Sequence, residues 1–104
     1  MTVDNLFANI PTSFEKELSD ILLQSENISI ERIVSNGQTS PPSGWYNQTQ
    51  NEWVLVLKGE AIIEFENKQV NLQAGSYLNI LAHTKHKVSW TNPNLETVWL
   101  AIFY

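Results

Sequence analysis

The chain has 104 residues, of which 42% are hydrophobic, enough for one apolar core but not for a second domain. It contains no cysteine, which excludes disulfides, thiolate nucleophiles and zinc–thiolate sites. Six Lys and Arg against eleven Asp and Glu give a formal net charge of −5, and the densest basic run is only Lys85-His86-Lys87. Because phosphate binding needs clustered cations, we expect no nucleic-acid partner.

The N-terminal residues Met1 to Asn5 lack the basic start and the apolar run of a signal peptide. No stretch of the sequence approaches the ~20 consecutive apolar residues that a membrane span requires. We therefore expect a cytoplasmic protein without a membrane partner.

One helical pattern follows Pro11. Thr12 and Glu15 have the spacing of a capping box, and an apolar stripe at i, i+4, i+7 and i+8 comes after them: Phe14, Leu18, Ile21 and Leu22. The pattern predicts a helix at about 13–24 that packs against the rest of the fold. A helix that binds a partner is the alternative interpretation.

The remainder of the chain has the pattern of β-structure. Residues 28–34 alternate between apolar and polar, and the prolines at 41 and 42 favour an extended loop. Six strand-sized runs then occur between turn signals: 53–57, 61–65, 70–72, 77–81, 86–90 and 97–103. Such spacing is typical of an antiparallel sandwich or barrel. We predict an all-β fold, a small barrel of the jelly-roll type with one short N-terminal helix.

Polar side chains gather in the stretch 44–90. In a strand, residues two apart share a face, so Tyr46, Gln48 and Glu52 would point the same way as the apolar residues of the following strand, provided no bulge intervenes. On another strand His86 shares its face with Val88. Gln48, Glu52 and His86 could therefore converge inside the barrel mouth. A buried carboxylate needs a cation or a hydrogen-bond donor, which Tyr46, His86 or a metal ion would supply to Glu52.

The chain has four tryptophans, all in its β half. Trp90 has the same parity as His86, so we expect it to wall the pocket. Trp53 and Trp99 have the opposite parity, so we expect them to pack outside, against the helix or a second subunit.

These residues resemble the cupin superfamily, and the sequence around Trp45 and Trp53 is similar to that of a group of small single-domain bacterial cupins. Glu52 and Gly59 stand at the E-x6-G spacing of the first family motif, G-x5-H-x-H-x3-4-E-x6-G. Gly75 and His86 match the first glycine and the histidine of the second, G-x5-P-x-G-x2-H-x3-N. The resemblance covers residues 40–104, so we expect the barrel core there, with residues 1–39 packing on it within one domain. It also implies a homodimer formed through sheet faces.

The departures from the motifs bear on metal binding. Cupins typically hold iron, manganese, nickel or zinc through three histidines and one glutamate, but Tyr46 and Gln48 occupy the places of two histidines. The resemblance thus implies a divalent-metal site of Gln48, Glu52 and His86, weaker than the family's usual one. Tyr46 and His83 are the candidates for proton transfer. We expect no organic cofactor.

Three functions remain open from the sequence. The first is a metal-dependent dioxygenase, isomerase or lyase acting on a small organic molecule inside the barrel. The second is a non-catalytic small-molecule-binding or sensor module that has lost the metal. The third is a metal-free enzyme that uses Glu52, Tyr46 and His86 for acid–base chemistry. The fold alone does not choose among them.

Overall fold

The computed structural model describes all 104 residues, which form eight strands in two antiparallel sheets. One sheet has the order β1-β2-β8-β3-β6 and the other β5-β4-β7. The strands are β1 Leu18–Gln24, β2 Ser29–Ser35, β3 Glu52–Lys58, β4 Glu60–Phe65, β5 Lys68–Gln73, β6 Tyr77–Ile80, β7 His86–Thr91 and β8 Thr97–Phe103. The expected all-β fold is confirmed.

The predicted N-terminal helix at 13–24 is wrong, because this segment contains β1. The strand pairs antiparallel with β2 and has a register irregularity between Ile21 and Leu23. The apolar stripe that suggested a helix is not buried, since Ile21 and Leu22 are 59% and 47% exposed. The edge of β2 offers hydrogen-bond partners to the backbone groups of Leu18–Gln24 that face it, and this tertiary pairing overrides the local helical pattern.

The core lies between the two sheets. Val54 and Val56 on β3 face Ala61 and Ile63 on β4, and all four are buried. β3 lies between β8 and β6, so that both of its edges are paired. Its inward side chains Val54 and Val56 are buried, and the other side chains of the strand are half-buried. Leu72, Ile80 and Trp99 complete the buried cluster.

Trp90 and Trp99 each face the side of the sheet opposite to the one predicted from the sequence. The pairing of β4 with β7 shifts between Ile62 and Ile63, so that Ser89 is skipped and Trp90 turns outward, where it is 40% exposed. Trp99 is 3% exposed, and its Nε1 donates a hydrogen bond to Ser35 Oγ at 3.3 Å. It pairs directly with Val56 and so shares its inward face, a register that parity within one strand does not reveal.

The N-terminal segment before β1 is tied to the outer side of the larger sheet. The Arg32 guanidinium donates to the carbonyl oxygens of Leu6 and Ala8, and Gln38 Nε2 donates to the carbonyl of Phe14. The same guanidinium pairs with Asp20 on β1. These contacts hold the segment in place without regular structure.

The fold contains no helix that is long and apolar enough to cross a membrane.

Gly59 and Gly75 form a matched pair of turn glycines with the same φ of 92° but different surroundings. A Cβ at Gly59 would lie 2.6 Å from the Glu96 carbonyl oxygen and would also clash with Thr97 Oγ1, whereas nothing lies within 4 Å of one at Gly75. We predict that Gly75→Ala costs about 1–2 kcal/mol, the backbone strain alone. Gly59→Ala should cost at least about 2 kcal/mol more, because backbone atoms must move. Urea unfolding of both variants measures the difference, and equal losses would contradict the clash.

Candidate functional site

A cavity of about 470 Å³ opens between the two sheets and is lined by residues from β1, β2, β3, β4, β6, β7 and β8, from the segment before β1 and from the 36–51 loop. Its apolar lining includes Val54, Ile63, Val88 and Trp99. Its polar lining groups are Glu17, Ser19, Gln24, Ser29, Glu31, Ser40, Tyr46, Gln48, Gln50, Glu52 and His86. A concave site that combines apolar side chains with convergent polar groups is the usual form of a small-molecule site.

Glu52 and His86 meet at this cavity, as the sequence predicted. His86 Nε2 lies 3.2 Å from Glu52 Oε1, and the side chains are 4% and 12% exposed. Glu52 begins β3 in the larger sheet and His86 begins β7 in the smaller one. The contact therefore joins the two sheets across the cavity.

The surroundings of His86 fix its protonation. Its Nδ1 lies 2.7 Å from the carbonyl oxygen of Thr84, which can only accept, so Nδ1 carries a proton. Burial by itself would lower the pKa of His86, but the hydrogen bonds to Glu52 and Thr84 and the charge of Glu52 outweigh burial and raise it above the ordinary value of 6.5. These contacts thus favour an imidazolium that donates through both nitrogens, from Nε2 to Glu52 and from Nδ1 to Thr84.

Tyr46 lies against His86, with ring centroids 5.5 Å apart and planes tilted by 39°. Their backbones form a two-bond antiparallel bridge, with Tyr46 N donating to His86 O at 2.8 Å and His86 N to Tyr46 O at 3.1 Å. Burial, followed by the charges of Glu17 and Glu52, raises the pKa of the Tyr46 phenol, although the Ser40 hydroxyl opposes the change. The phenol therefore stays protonated and can act as a proton donor.

Gln48 lines the cavity, and its backbone carbonyl oxygen accepts a hydrogen bond from the backbone N–H of His83 at 2.7 Å. The imidazole of His83 lies outside the cavity lining on an exposed turn, with Nδ1 3.3 Å from Asn47 Oδ1. His83 has a φ of 63°, which directs the chain back into β7. The structure thus brings Tyr46, Gln48, Glu52 and His86 together and leaves His83 apart.

Glu17 and Glu31 belong to the cavity and were missed from the sequence. Glu31 Oε1 and Oε2 accept hydrogen bonds from the hydroxyls of Ser19 and Ser29, at 2.9 and 3.2 Å. Burial raises the pKa of Glu17, and the charge of Glu52 adds to this, while the Ser40 hydroxyl works against it. The alternation of Ser29, Glu31 and Ile33 on one face of a predicted strand could have revealed Glu31. Glu17 had no such signal because its segment was predicted to be helical.

The donor groups of the cavity suit a divalent metal only weakly. No group of three His, Cys, Asp or Glu side chains is positioned to hold a metal ion. The two strong donors, Glu52 and His86, already satisfy each other, and a metal would have to displace the imidazolium proton. Gln48 and Tyr46 could add an amide and a phenol oxygen, which are weaker donors than imidazole.

Comparisons with known proteins agree with this architecture. A family model described as "Cupin domain" matches residues 31–103. A protein of Ralstonia eutropha JMP134, provisionally assigned as a mannose-6-phosphate isomerase, is 42% identical over 99% of this chain and 97% of its own, with a TM-score of 0.93. A cupin superfamily protein of Desulfitobacterium hafniense DCB-2 is 23% identical over 90% and 82% of the two chains, with a TM-score of 0.75.

A more distant structure, the protein TT1209 from Thermus thermophilus, is 18% identical over 99% of this chain and 96% of its own, with a TM-score of 0.79. At these lower identities the likeness concerns the fold alone. No curated protein matches the chain. The family expected from the motif spacing of Glu52 with Gly59 and of Gly75 with His86 is confirmed.

The Glu52–His86 hydrogen bond predicts a pH dependence of stability. Because the folded pKa of His86 is raised above 6.5, its pairing stabilises the protein fully below that pH, and the contribution is lost as pH rises through the folded pKa. In Glu52→Gln the main raising interaction is gone, so we expect His86 to titrate at lower pH and this loss to disappear.

NMR titration of the imidazole and unfolding free energies at pH 6 and about pH 9 measure both effects. His83→Gln is the matched background, since it removes the other, exposed imidazole signal. A wild-type His86 that titrates below 6.5 would contradict the paired state.

Proposed function

The chain belongs to the cupin superfamily, and from this premise we propose that its cavity binds a small organic molecule and moves a proton within it, as an isomerase does. The observation that carries the proposal is the pairing of Glu52 with His86 in a nearly water-free position beside Tyr46. Low water access strengthens electrostatic interactions of these groups with a bound molecule. The similarity to the Ralstonia protein, which is provisionally assigned as an isomerase, supports proton transfer of this kind.

The chemistry requires one base and one acid on the same molecule. The Glu52 carboxylate is placed to take a proton from a carbon next to a carbonyl group. Tyr46 or the His86 imidazolium gives a proton to the carbonyl oxygen, which yields an enediol when the neighbouring carbon bears a hydroxyl. Glu52 then delivers its proton to the former carbonyl carbon, while Tyr46 or His86 takes back the proton of the hydroxyl on the neighbouring carbon, so that the carbonyl shifts by one position. No proton or electron is gained or lost overall.

A metal-dependent enzyme is the second candidate, favoured by the hydrogen bond from His86 Nδ1 to Thr84. Histidines that bind metals generally donate their other ring N–H to a carbonyl or carboxylate in this way. In that case His86, Glu52 and Gln48 would hold a manganese, iron, nickel or zinc ion, and the ion would polarise a carbonyl oxygen of the bound molecule. A non-catalytic binding module is the third candidate.

Deuterium exchange distinguishes these candidates even when the substrate is not known. The protein is incubated in D2O with a panel of neutral and amino aldoses and ketoses, and loss of the C–H signals beside the carbonyl is followed by proton NMR. For metal-free proton transfer we expect exchange that a chelator does not reduce. Glu52→Gln should lower the exchange rate by roughly a hundredfold or more, the usual contribution of a general base.

Glu66→Gln is the matched control, because Glu66 is an exposed carboxylate in the turn between β4 and β5. Exchange that a chelator abolishes, and that one of the four metals restores, would replace the first candidate by the second. Specific binding of a sugar or of a compound from cell extract, with no exchange in any panel member, would favour the non-catalytic module.

We also propose that the chain forms a homodimer through the outer face of the larger sheet. An apolar row crosses this face in register: Leu23 opposite Ile30, Ile30 opposite Ile102, Ile102 opposite Trp53, and Leu55 opposite both Leu100 and Tyr77. Trp53 and Tyr77 pack with ring centroids 5.6 Å apart, although Tyr77 is 69% exposed. Arg32 lies at the border of the row, opposite Leu100, where it pairs with Asp20 and binds the N-terminal segment. A second copy suits the row, because apolar contacts bring two chains of net charge −5 together without placing their carboxylates against each other.

Tyr77→Glu should convert a dimer into a monomer, because it places a charge at the apolar row. Sedimentation equilibrium measures the mass at several concentrations. Leu95→Glu is the control, since Leu95 is an exposed apolar side chain in the turn before β8 and lies off the row. A wild type that stays monomeric at about 100 μM, well above a micromolar dissociation constant, contradicts the proposal.

A further inference from the structure

The ionisable groups of the cavity are strongly unbalanced. Three carboxylates line it, those of Glu17, Glu31 and Glu52, and no lysine or arginine does. Arg32 follows Glu31 in the chain but points to the other side of β2, where it binds Asp20 and two N-terminal carbonyls. Lys87 lies over the Trp45 ring, with Nζ 4.5 Å from the centroid, outside the cavity lining.

Only one of the three carboxylates has a partner that can be positive. Glu52 is paired with His86, whereas Glu31 is held by two serine hydroxyls and Glu17 lies near the Ser40 hydroxyl and the Tyr46 phenol. Hydroxyls position a carboxylate but do not neutralise it. The lining therefore holds three acidic groups against a single group that can be positive.

Three aromatic side chains share the cavity with these carboxylates: Tyr46, Trp99 and Phe103. Aromatic rings attract cations through their quadrupole, and the attraction grows when the cation loses its water. An anion gains nothing from such walls. The two features, unneutralised carboxylates and aromatic walls, select the same sign of ligand charge.

We infer that the ligand of this cavity is a small organic cation, an amine-bearing molecule attracted by the carboxylates of Glu17 and Glu31. This inference rests on the proposed small-molecule function and adds the charge of the ligand. Glu31 lies on β2 beside Ser19 and Ser29, and Glu17 lies in the segment before β1, near Ser40 and Glu52. The two carboxylates therefore attract the ammonium group from different parts of the lining.

A phosphorylated sugar does not suit this lining. Phosphate sites are built from arginine, lysine or backbone N–H groups at a helix N-terminus. The cavity has no lysine or arginine, and the fold has no helix. A dianionic phosphate would meet two carboxylates in place of a cation, so the substrate class in the name of the Ralstonia protein does not transfer to this chain.

Matched ligands that differ mainly in charge test the inference. The first set is D-mannosamine, D-mannose and D-mannose 6-phosphate; the second is cyclohexylamine, cyclohexanol and cyclohexanecarboxylate. Isothermal titration calorimetry gives Kd at pH 7. In each set that binds, the amine should bind roughly tenfold more tightly than the neutral compound and the anion most weakly.

Two variants locate the effect. Glu31→Gln and Glu17→Gln keep the size of the side chain and should each reduce the amine preference, while Glu66→Gln, an exposed carboxylate outside the cavity, should not. Circular dichroism verifies that the variants are folded. Equal affinities within a set, tightest binding of an anion, or an amine preference that survives both variants overturns the cation inference and leaves the small-molecule function standing. Absence of binding by every compound in both sets overturns both.

Discussion

The hydrogen bond between Glu52 and His86 is the interaction on which the site depends. It crosses from the larger sheet to the smaller one, and both side chains are almost removed from water. A buried carboxylate and a buried imidazolium are each costly when unpaired, because each has lost its hydration. The hydrogen bond between them offsets part of that desolvation cost for both. The Thr84 carbonyl then satisfies the remaining ring N–H, so the imidazole is held in one orientation.

Around this pair the fold separates core from site along the length of the strands. The inner faces of β3 and β4 supply the close-packed valines and isoleucines of the core, while the ends of β3 and β7 carry the polar groups. The loop before β3 brings Tyr46 over the pair through its backbone bridge with His86. A site built from strand ends and one short bridge keeps a fixed geometry, because its backbone belongs to the sheets.

Much of this arrangement could be predicted from the sequence. The spacing of Glu52 to Gly59, and the alternation of Glu52 with Val54, gave the correct strand and the correct facing of the carboxylate. Three features could not be read in this way. β1 owes its conformation to pairing with β2, the bulge at Ser89 turns Trp90 outward, and Trp99 faces inward through its register with Val56. Each depends on a contact between segments that are distant in the chain, and local periodicity does not predict such contacts.

The position of β1 has a consequence for how a ligand enters and leaves. β1 lies at the edge of its sheet, pairs only with β2, and has a register irregularity in its middle, yet Ser19, Ile21 and Gln24 from this strand form part of the cavity wall. An edge strand with exposed side chains opens locally at far lower free energy than the whole fold. The wall can therefore peel away while the paired core stays intact. Fraying of β1 therefore widens the cavity at a cost that does not include unfolding of the core.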